Sequence, residues 1–126
     1  MATIQRFEDL ECWQEDRKFV KLIYEFTKKE KFRKDFELIN QIRRSSVSSM
    51  ANIAEGFHRN STKDFMRFLD YSRASIAETV SHLYVALDQD YIEQNYLNEA
   101  KGLADVVWKK VNNFITYLNK IAKQRK

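Results

Sequence analysis

Few residues in this chain have the types and spacing that acid–base or metal chemistry needs. Glu78 and His82 are four positions apart, whereas two-metal carboxylate sites in helical bundles use a Glu-x-x-His spacing of three and need a second such pair. His58 is the other histidine and Cys12 the only cysteine, which leaves too few ligands for a zinc site. The sequence has neither a glycine-rich phosphate loop nor a serine elbow. We therefore expect no catalytic residues, no metal and no cofactor, and the protein is predicted not to be an enzyme.

A polar stripe crosses the segment QIRRSSVSSMANIAEG, residues 41–56. Its members follow a 4-3-4-3 spacing that places them on one helix face, and they are Gln41, Ser45, Ser48, Asn52 and Glu55. Solvated helix faces usually carry Lys and Glu, which favour helix more than Ser and Asn do. Short polar side chains suit close approach by another surface. The stripe is therefore predicted to have a structural role or to meet a second subunit, with a solvated face as the alternative.

Two arginines in the same segment have different predicted roles. If the chain folds back at residues 57–60, residues whose numbers add to about 117 face each other. This register places Arg43 near Glu78, which predicts a buried or half-buried ion pair, and it places Ser49 opposite Phe68. Small residues would then meet large aromatics, as interdigitated cores require. Arg44 is expected to be exposed.

Composition indicates one soluble helical domain over residues 1–126. Hydrophobic residues make up 44% of the chain, proline is absent and there are only two glycines. Most β-proteins need more turn residues than this. No apolar run is long enough to span a bilayer, no secretory signal is visible, and a lone cysteine fits a reducing compartment. We expect a cytoplasmic protein that does not bind membranes.

Apolar residues recurring at steps of three and four predict four helices, at residues 8–29, 35–56, 61–88 and 93–122. Asp35 is predicted to cap the second helix, Ser61 with Asp64 to cap the third, and Gly56 to end the second in a left-handed conformation. Short links between long helices favour an all-α, up-down-up-down antiparallel four-helix bundle. The predicted core face of the first helix holds Leu10, Trp13, Val20, Ile23 or Tyr24, and Thr27, and that of the second holds Phe36, Ile39, Ile42, Ser46, Ser49 and Ile53.

Positive charge is concentrated in two segments that the bundle brings to one end. Residues 41–75 hold six basic and three acidic side chains, and residues 109–126 hold six basic and no acidic ones. Clustered cations of this kind are candidate phosphate ligands. The candidates are Arg44, Arg59, Lys63, Arg67, Lys120, Lys123, Arg125 and Lys126. If five or six of them contact phosphates, log affinity should fall against log salt with a slope of about −4.5 to −5.4.

Several segments together resemble a known family. They are Phe7-Glu-Asp-Leu10 with Trp13-Gln14, Gln41-Ile-Arg43, Ser46, Asn52-Ile-Ala-Glu55-Gly56, Phe65, Phe68-Leu69, Ser75 and Glu78. The pattern resembles the four-helix-bundle proteins encoded within intervening sequences of bacterial 23S ribosomal RNA genes, and the related accessory variability determinant of diversity-generating retroelements. The resemblance implies a homopentamer with a basic surface and a nucleic-acid partner. For the retroelement relatives it also implies a reverse transcriptase partner, and it implies no catalytic residues.

Two functions from different classes follow from the sequence. The first is a homo-oligomeric accessory protein that binds RNA or DNA through a basic surface. The second is a protein-binding scaffold whose oligomer presents a surface to a partner such as a reverse transcriptase, with the charge serving solubility.

Overall fold

The structure, a computed structural model, describes residues 4–124. Its helices are α1 (Glu11–Thr27), α2 (Phe36–Phe57), α3 (Thr62–Asp88) and α4 (Gln94–Gln124), with short 3₁₀ helices at Phe7–Asp9 and Phe32–Lys34. The described residues contain no strand, so the predicted all-α fold with four helices is confirmed. α1 packs against α2 and α4, and α3 packs against the same two helices. α1 is shorter than predicted because Leu10, in an extended conformation, separates it from the first 3₁₀ helix.

Two predicted helix starts are confirmed by side-chain hydrogen bonds. Asp35 Oδ1 accepts from the Leu38 backbone N–H at 3.0 Å, at the start of α2. Ser61 Oγ accepts from the Asp64 backbone N–H at 3.1 Å, at the start of α3. Each bond satisfies a backbone donor that has no partner within its own helix.

The predicted role of Gly56 as a left-handed helix end is wrong. Gly56 lies inside α2, which continues to Phe57, and no described glycine has a positive φ. The left-handed end belongs instead to α3, where Asp90 has φ 60°. The Asp90 N–H bonds to the Leu87 carbonyl at 3.0 Å and the Tyr91 N–H bonds to the Ala86 carbonyl at 2.9 Å. These two bonds form a Schellman motif, in which Asp tolerates the left-handed conformation better than most residues do.

Gly56 has a packing role. A Cβ atom at this position would lie 2.8 Å from Phe65 Cδ1 and 2.8 Å from Phe68 Cβ. Gly56 is buried. Because it has no side chain, α3 can approach the backbone of α2. The glycine is needed for contact between the two helices, and its backbone angles are ordinary.

The predicted register between α2 and α3 is also wrong. Ser45 lies opposite Thr79, with the two hydroxyl oxygens 2.7 Å apart, and Ser48 lies opposite Ser75 at 3.2 Å. These pairs have numbers that add to 124 and 123, so the facing residues are displaced from the predicted register by nearly two helical turns. At these positions hydroxyl groups pair with each other, whereas Gly56 meets the aromatic residues Phe65 and Phe68.

The core faces of the first two helices differ in part from prediction. Phe36 is 75% exposed because it is the first residue of α2, although the rest of the predicted α2 face is buried. In α1 the buried face passes through Cys12, Asp16, Phe19 and Ile23, whereas Val20 is only half-buried. The predicted Leu10, Ile23 and Thr27 are buried as expected, and Trp13, like Val20, is half-buried.

None of the described helices is both long enough and apolar enough to cross a membrane.

Replacing Gly56 with alanine should destabilise the fold. Because the new Cβ would overlap Phe65 and Phe68, we expect a loss of about 1–3 kcal/mol in the free energy of unfolding. Urea denaturation followed by circular dichroism measures the change.

Gly102 provides the matched control, since a Cβ there meets nothing within 4 Å and the residue lies within α4. Gly102→Ala should stabilise by up to ~1 kcal/mol through helix propensity. Equal effects of the two substitutions would contradict the packing role of Gly56.

Candidate nucleic-acid interface

One end of the bundle collects most of the cations that the sequence suggested. The Phe65 ring near the start of α3 packs on the Phe114 ring of α4, with centroids 5.3 Å apart. The Phe7 ring lies against the His58 ring at 6.0 Å. The turn between α2 and α3, the last turns of α4 and the N-terminal 3₁₀ helix therefore lie together. We call this region the basic end; its described cations are Arg59, Lys63, Arg67, Lys120 and Lys123.

The cations of the basic end are held in different ways. Arg59 lies with its guanidinium carbon 4.5 Å from the centroid of the Phe68 ring. Arg67 forms an ion pair with Asp64 at 3.1 Å. Lys63 and Lys123 are exposed, as is Lys120, and none of these three lysines forms an ion pair with a residue in the range 4–124. Three lysines thus have ammonium groups free to meet an anion.

One of the predicted phosphate ligands within residues 4–124 is not part of this cluster. Arg44 is exposed, but it lies on α2 fifteen residues before Arg59, which is about 22 Å along the helix axis. Arg125 and Lys126 lie outside the described residues.

Acidic residues near the start of α1 are largely neutralised by local pairs. Asp9 pairs with Arg6 at 3.7 Å, and Glu11 pairs with Lys110 at 2.9 Å. The Lys110 ammonium lowers the pKa of Glu11 through its hydrogen bond and charge. These pairs offset the charge of Asp9 and Glu11, whereas Glu8 forms no ion pair within residues 4–124.

Most of the polar stripe lies in the contact between α2 and α3 of the same chain. Ser45 is buried and hydrogen-bonds Thr79, and Ser48 accepts a hydrogen bond from Ser75. Asn52 donates to the Ser48 carbonyl at 2.9 Å. Gln41 and Glu55, at the two ends of the stripe, are exposed. The structural role accounts for its three central members.

The predicted ion pair between Arg43 and Glu78 does not form. Arg43 lies on the side of α2 that faces α1, where its Nε donates to Thr27 Oγ1 at 2.9 Å and its guanidinium covers the Tyr24 ring at 4.4 Å. Glu78 instead contacts His82, one turn further along α3, at 3.2 Å. Arg43 and Ser45 are two positions apart and therefore point to nearly opposite sides of α2, and Ser45 is the residue that faces α3.

Asp16 is a buried carboxyl group that the sequence reasoning missed. It is fully buried, and Ser49 Oγ donates to its Oδ2 at 2.8 Å. Its Oδ1 and the Ser72 hydroxyl have no hydrogen-bond partner among the described residues. Burial raises the pKa of Asp16 to about 7, and the Ser49 hydrogen bond opposes that shift. The signal was present in the sequence: Asp16 continues the 4-3-4 spacing that joins Cys12, Phe19 and Ile23.

Within residues 4–124, no group of three or more His, Cys, Asp or Glu side chains could hold a metal ion. The buried carboxyl group of Asp16 lies in the core, away from any surface that a substrate would reach.

Comparison with known proteins gives a family and a fold. A family model described as "23S rRNA-intervening sequence protein" matches residues 8–113. Among curated proteins, no match is found. The chain is similar to a crystal structure from Bacteroides thetaiotaomicron, described as a protein with unknown function from the S23 ribosomal protein family. The two are 25% identical with a TM-score of 0.74, and the match covers 82% of this chain and 97% of that one.

The buried Asp16 should make stability fall as pH rises. Its pKa is about 7 in the fold against an ordinary 3.8, so the folded state holds the proton more tightly than the unfolded state does. The contribution of Asp16 to the free energy of unfolding is therefore largest below about pH 4, declines between about pH 4 and pH 7, and is constant above pH 7. A difference of about three units corresponds to about 4 kcal/mol.

Asp16→Asn should remove this decline, because an amide carries no charge and still accepts from Ser49. We expect the variant to match the original chain near pH 4 and to be more stable by a few kcal/mol at pH 8, measured by urea denaturation. Asp88→Asn, at an exposed position, is the control. A variant whose pH profile stays parallel to that of the original chain would refute the assignment.

Proposed function

This chain belongs to the 23S rRNA-intervening sequence protein family, and from that premise we propose that it is a non-enzymatic protein that binds RNA or DNA through its basic end. The family description links these proteins to an insertion in ribosomal RNA. It names no ligand, so the proposal depends on the charge and geometry of the chain itself.

The supporting observation is a group of cations that lack carboxylate partners. Arg59, Lys63, Lys120 and Lys123 form no ion pair with residues 4–124, and they lie at the same end of the bundle. Phosphate groups would supply the missing negative charge and release counterions from the nucleic acid. Arg67, paired with Asp64 at the surface, could exchange that partner for a phosphate at little cost, because exposed ion pairs contribute little to stability.

The opposite end of the bundle is a weaker candidate, although it also carries lysines. Tyr91 donates to Asp35 at 2.9 Å and its ring stacks on Phe32. These contacts hold the α3–α4 turn, with its acidic Asp88 and Asp90, against the lysine-rich connection between α1 and α2. Acidic neighbours reduce the potential that a phosphate would meet there.

Reversing three charges at the basic end should abolish binding without unfolding the chain. The variant is Arg59→Glu, Lys63→Glu, Lys123→Glu, and all three residues are exposed. Fluorescence anisotropy with structured RNA, single-stranded RNA and duplex DNA, titrated with salt, measures affinity. With four phosphate contacts, the original chain should show a log–log salt slope of about −2.8 on single strands and about −3.6 on duplex DNA.

The matched control makes the same net charge change at the opposite end. Lys28→Glu, Lys31→Glu, Arg33→Glu also replaces one arginine and two lysines at exposed positions, and it should retain most of the affinity. If both triple variants lost binding equally, net charge alone would explain the result. An original chain that binds no nucleic acid at low salt would refute the proposal.

A second candidate is self-association that presents a surface to a protein partner, such as a reverse transcriptase. It is favoured by large apolar side chains on the exterior of α2 and α3, where Val47 is 42%, Tyr71 48% and Val85 44% exposed. Exposed apolar side chains are the groups that a contact with another subunit or protein would cover. The family resemblance suggests a homopentamer, which would also multiply the basic ends in one particle.

Light scattering coupled to chromatography tests the assembly. We expect a particle that is a multiple of the 15.1 kDa chain, fivefold for a pentamer. Val47→Glu or Tyr71→Glu should shift it toward the single chain, because a charge would be buried at the contact. Val106→Glu, at a similarly exposed position on α4, should not. A single chain at every concentration would contradict self-association.

A further inference from the structure

A shallow depression of about 400 Å³ lies at the C-terminal end of α2. Ala54, Glu55, His58 and Arg59 line it. The two pairs Ala54/His58 and Glu55/Arg59 are each four residues apart, so the depression follows the last turn of the helix. The depression is open to solvent, so a ligand there would be bound on one side only.

Arg59, which lines this depression, has a flat guanidinium group that packs on an aromatic ring. The Arg59 guanidinium lies over the Phe68 ring at 4.5 Å, and Phe68 is itself 8% exposed and fixed in the contact with α2. One face of the guanidinium is therefore covered, while Arg59 as a residue is exposed. A planar group whose orientation is already set can stack on a nucleobase with little loss of side-chain entropy.

His58 also lines the depression, and its ring contacts two other aromatic rings. The His58 ring packs edge-to-face on Phe57 at 5.3 Å and on Phe7 at 6.0 Å. It remains exposed, so it presents a second ring surface beside Arg59. Aromatic and guanidinium planes at one site are the groups on which unpaired bases stack.

Glu55 is available to a ligand despite having a cation four residues away. Glutamate and arginine at this spacing usually pair on a helix face. Here Arg59 lies beyond the end of α2 and turns to Phe68. The Glu55 side chain forms no ion pair or hydrogen bond with any residue from 4 to 124 and is exposed. Glu55 is therefore an unpaired carboxylate beside the cations of the basic end.

We propose that this depression binds an unpaired guanine base of a single-stranded nucleic acid, stacked on Arg59 and read by Glu55. The inference rests on the proposed nucleic-acid binding and adds the kind of strand and the base. A carboxylate only accepts hydrogen bonds. Guanine is the base whose Watson–Crick edge presents two adjacent donors, the N1–H and the N2 amino group.

The other bases present an unfavourable edge to the same carboxylate. Adenine and cytosine each place a ring-nitrogen acceptor beside their amino donor, and uracil has a single N–H between two carbonyls. Glu55 would repel these acceptors. It would also repel nearby phosphates, and only the hydrogen bonds to guanine would offset that unfavourable energy. One unpaired carboxylate among cations therefore acts as a selective group, and the lysines supply affinity for any strand.

Short oligouridine RNAs with one central guanine, inosine or adenine test the proposal by fluorescence anisotropy. The guanine strand should bind about tenfold more tightly than the adenine strand. Inosine keeps the N1–H and lacks the N2 amino group, so its affinity should be intermediate. The corresponding DNA strands should show the same order, and a duplex of the guanine strand should lose the selectivity because its Watson–Crick edge is occupied.

Two conservative variants separate recognition of the base by Glu55 from stacking of the base on Arg59. Glu55→Gln should reduce the guanine preference to about twofold or less while retaining adenine binding. Arg59→Lys keeps the charge and loses the plane, so it should weaken every single strand roughly tenfold with an unchanged salt slope. Glu99→Gln and Arg33→Lys, both exposed and remote from the depression, are the matched controls and should change neither property.

The outcomes distinguish the two proposals. Salt-dependent binding without any preference for guanine, or a preference that Glu55→Gln leaves intact, would overturn the base site and leave the basic end as a phosphate-binding surface. No binding of any strand at low salt would overturn both. Circular dichroism of each variant confirms that the helices are retained.

Discussion

The close contact between α2 and α3 is the constraint on which the rest of the molecule depends. At Gly56 the α2 backbone meets Phe65 and Phe68 with no room for a side chain. Further along, Ser45 and Thr79 share a buried hydrogen bond. Such a contact fixes the register of the two helices, because small residues and hydroxyl groups must coincide in both. The turn that joins the helices, and the cations it carries, take their position from that register.

The same small residues also accommodate the one carboxyl group in the core. Ser49 belongs to the buried face of α2, and its hydroxyl donates to Asp16 on α1. A buried carboxyl group with a single donor and one oxygen without a partner is costly in its charged form. The protein retains it on the face that otherwise holds Phe19 and Ile23. α1 is thereby oriented by a polar contact as well as by apolar packing, at a cost in stability that grows with pH.

Periodicity and end signals allowed the four helices and two of their caps to be predicted, because both are local properties of the chain. The register, the role of Gly56 and the partner of Arg43 were not predictable in the same way. Each depends on which side of one helix meets another, and Arg43 lies on the side of α2 that meets Thr27 of α1. Asp16 was missed because a polar side chain interrupts the apolar pattern by which a core face is recognised.

The basic end shows why charge along the sequence is a poor guide to free charge in space. Lys110 belongs to the most basic segment, yet it pairs with Glu11 at the start of α1, while Lys63 and Lys123 have no such partner among residues 4–124. Phe68 then connects the fold with the surface. Its Cβ lies against Gly56 and its ring supports the Arg59 guanidinium. Any change that moves α3 away from α2 would displace that arginine too, so the packing that orders the core also orders the surface that meets a ligand.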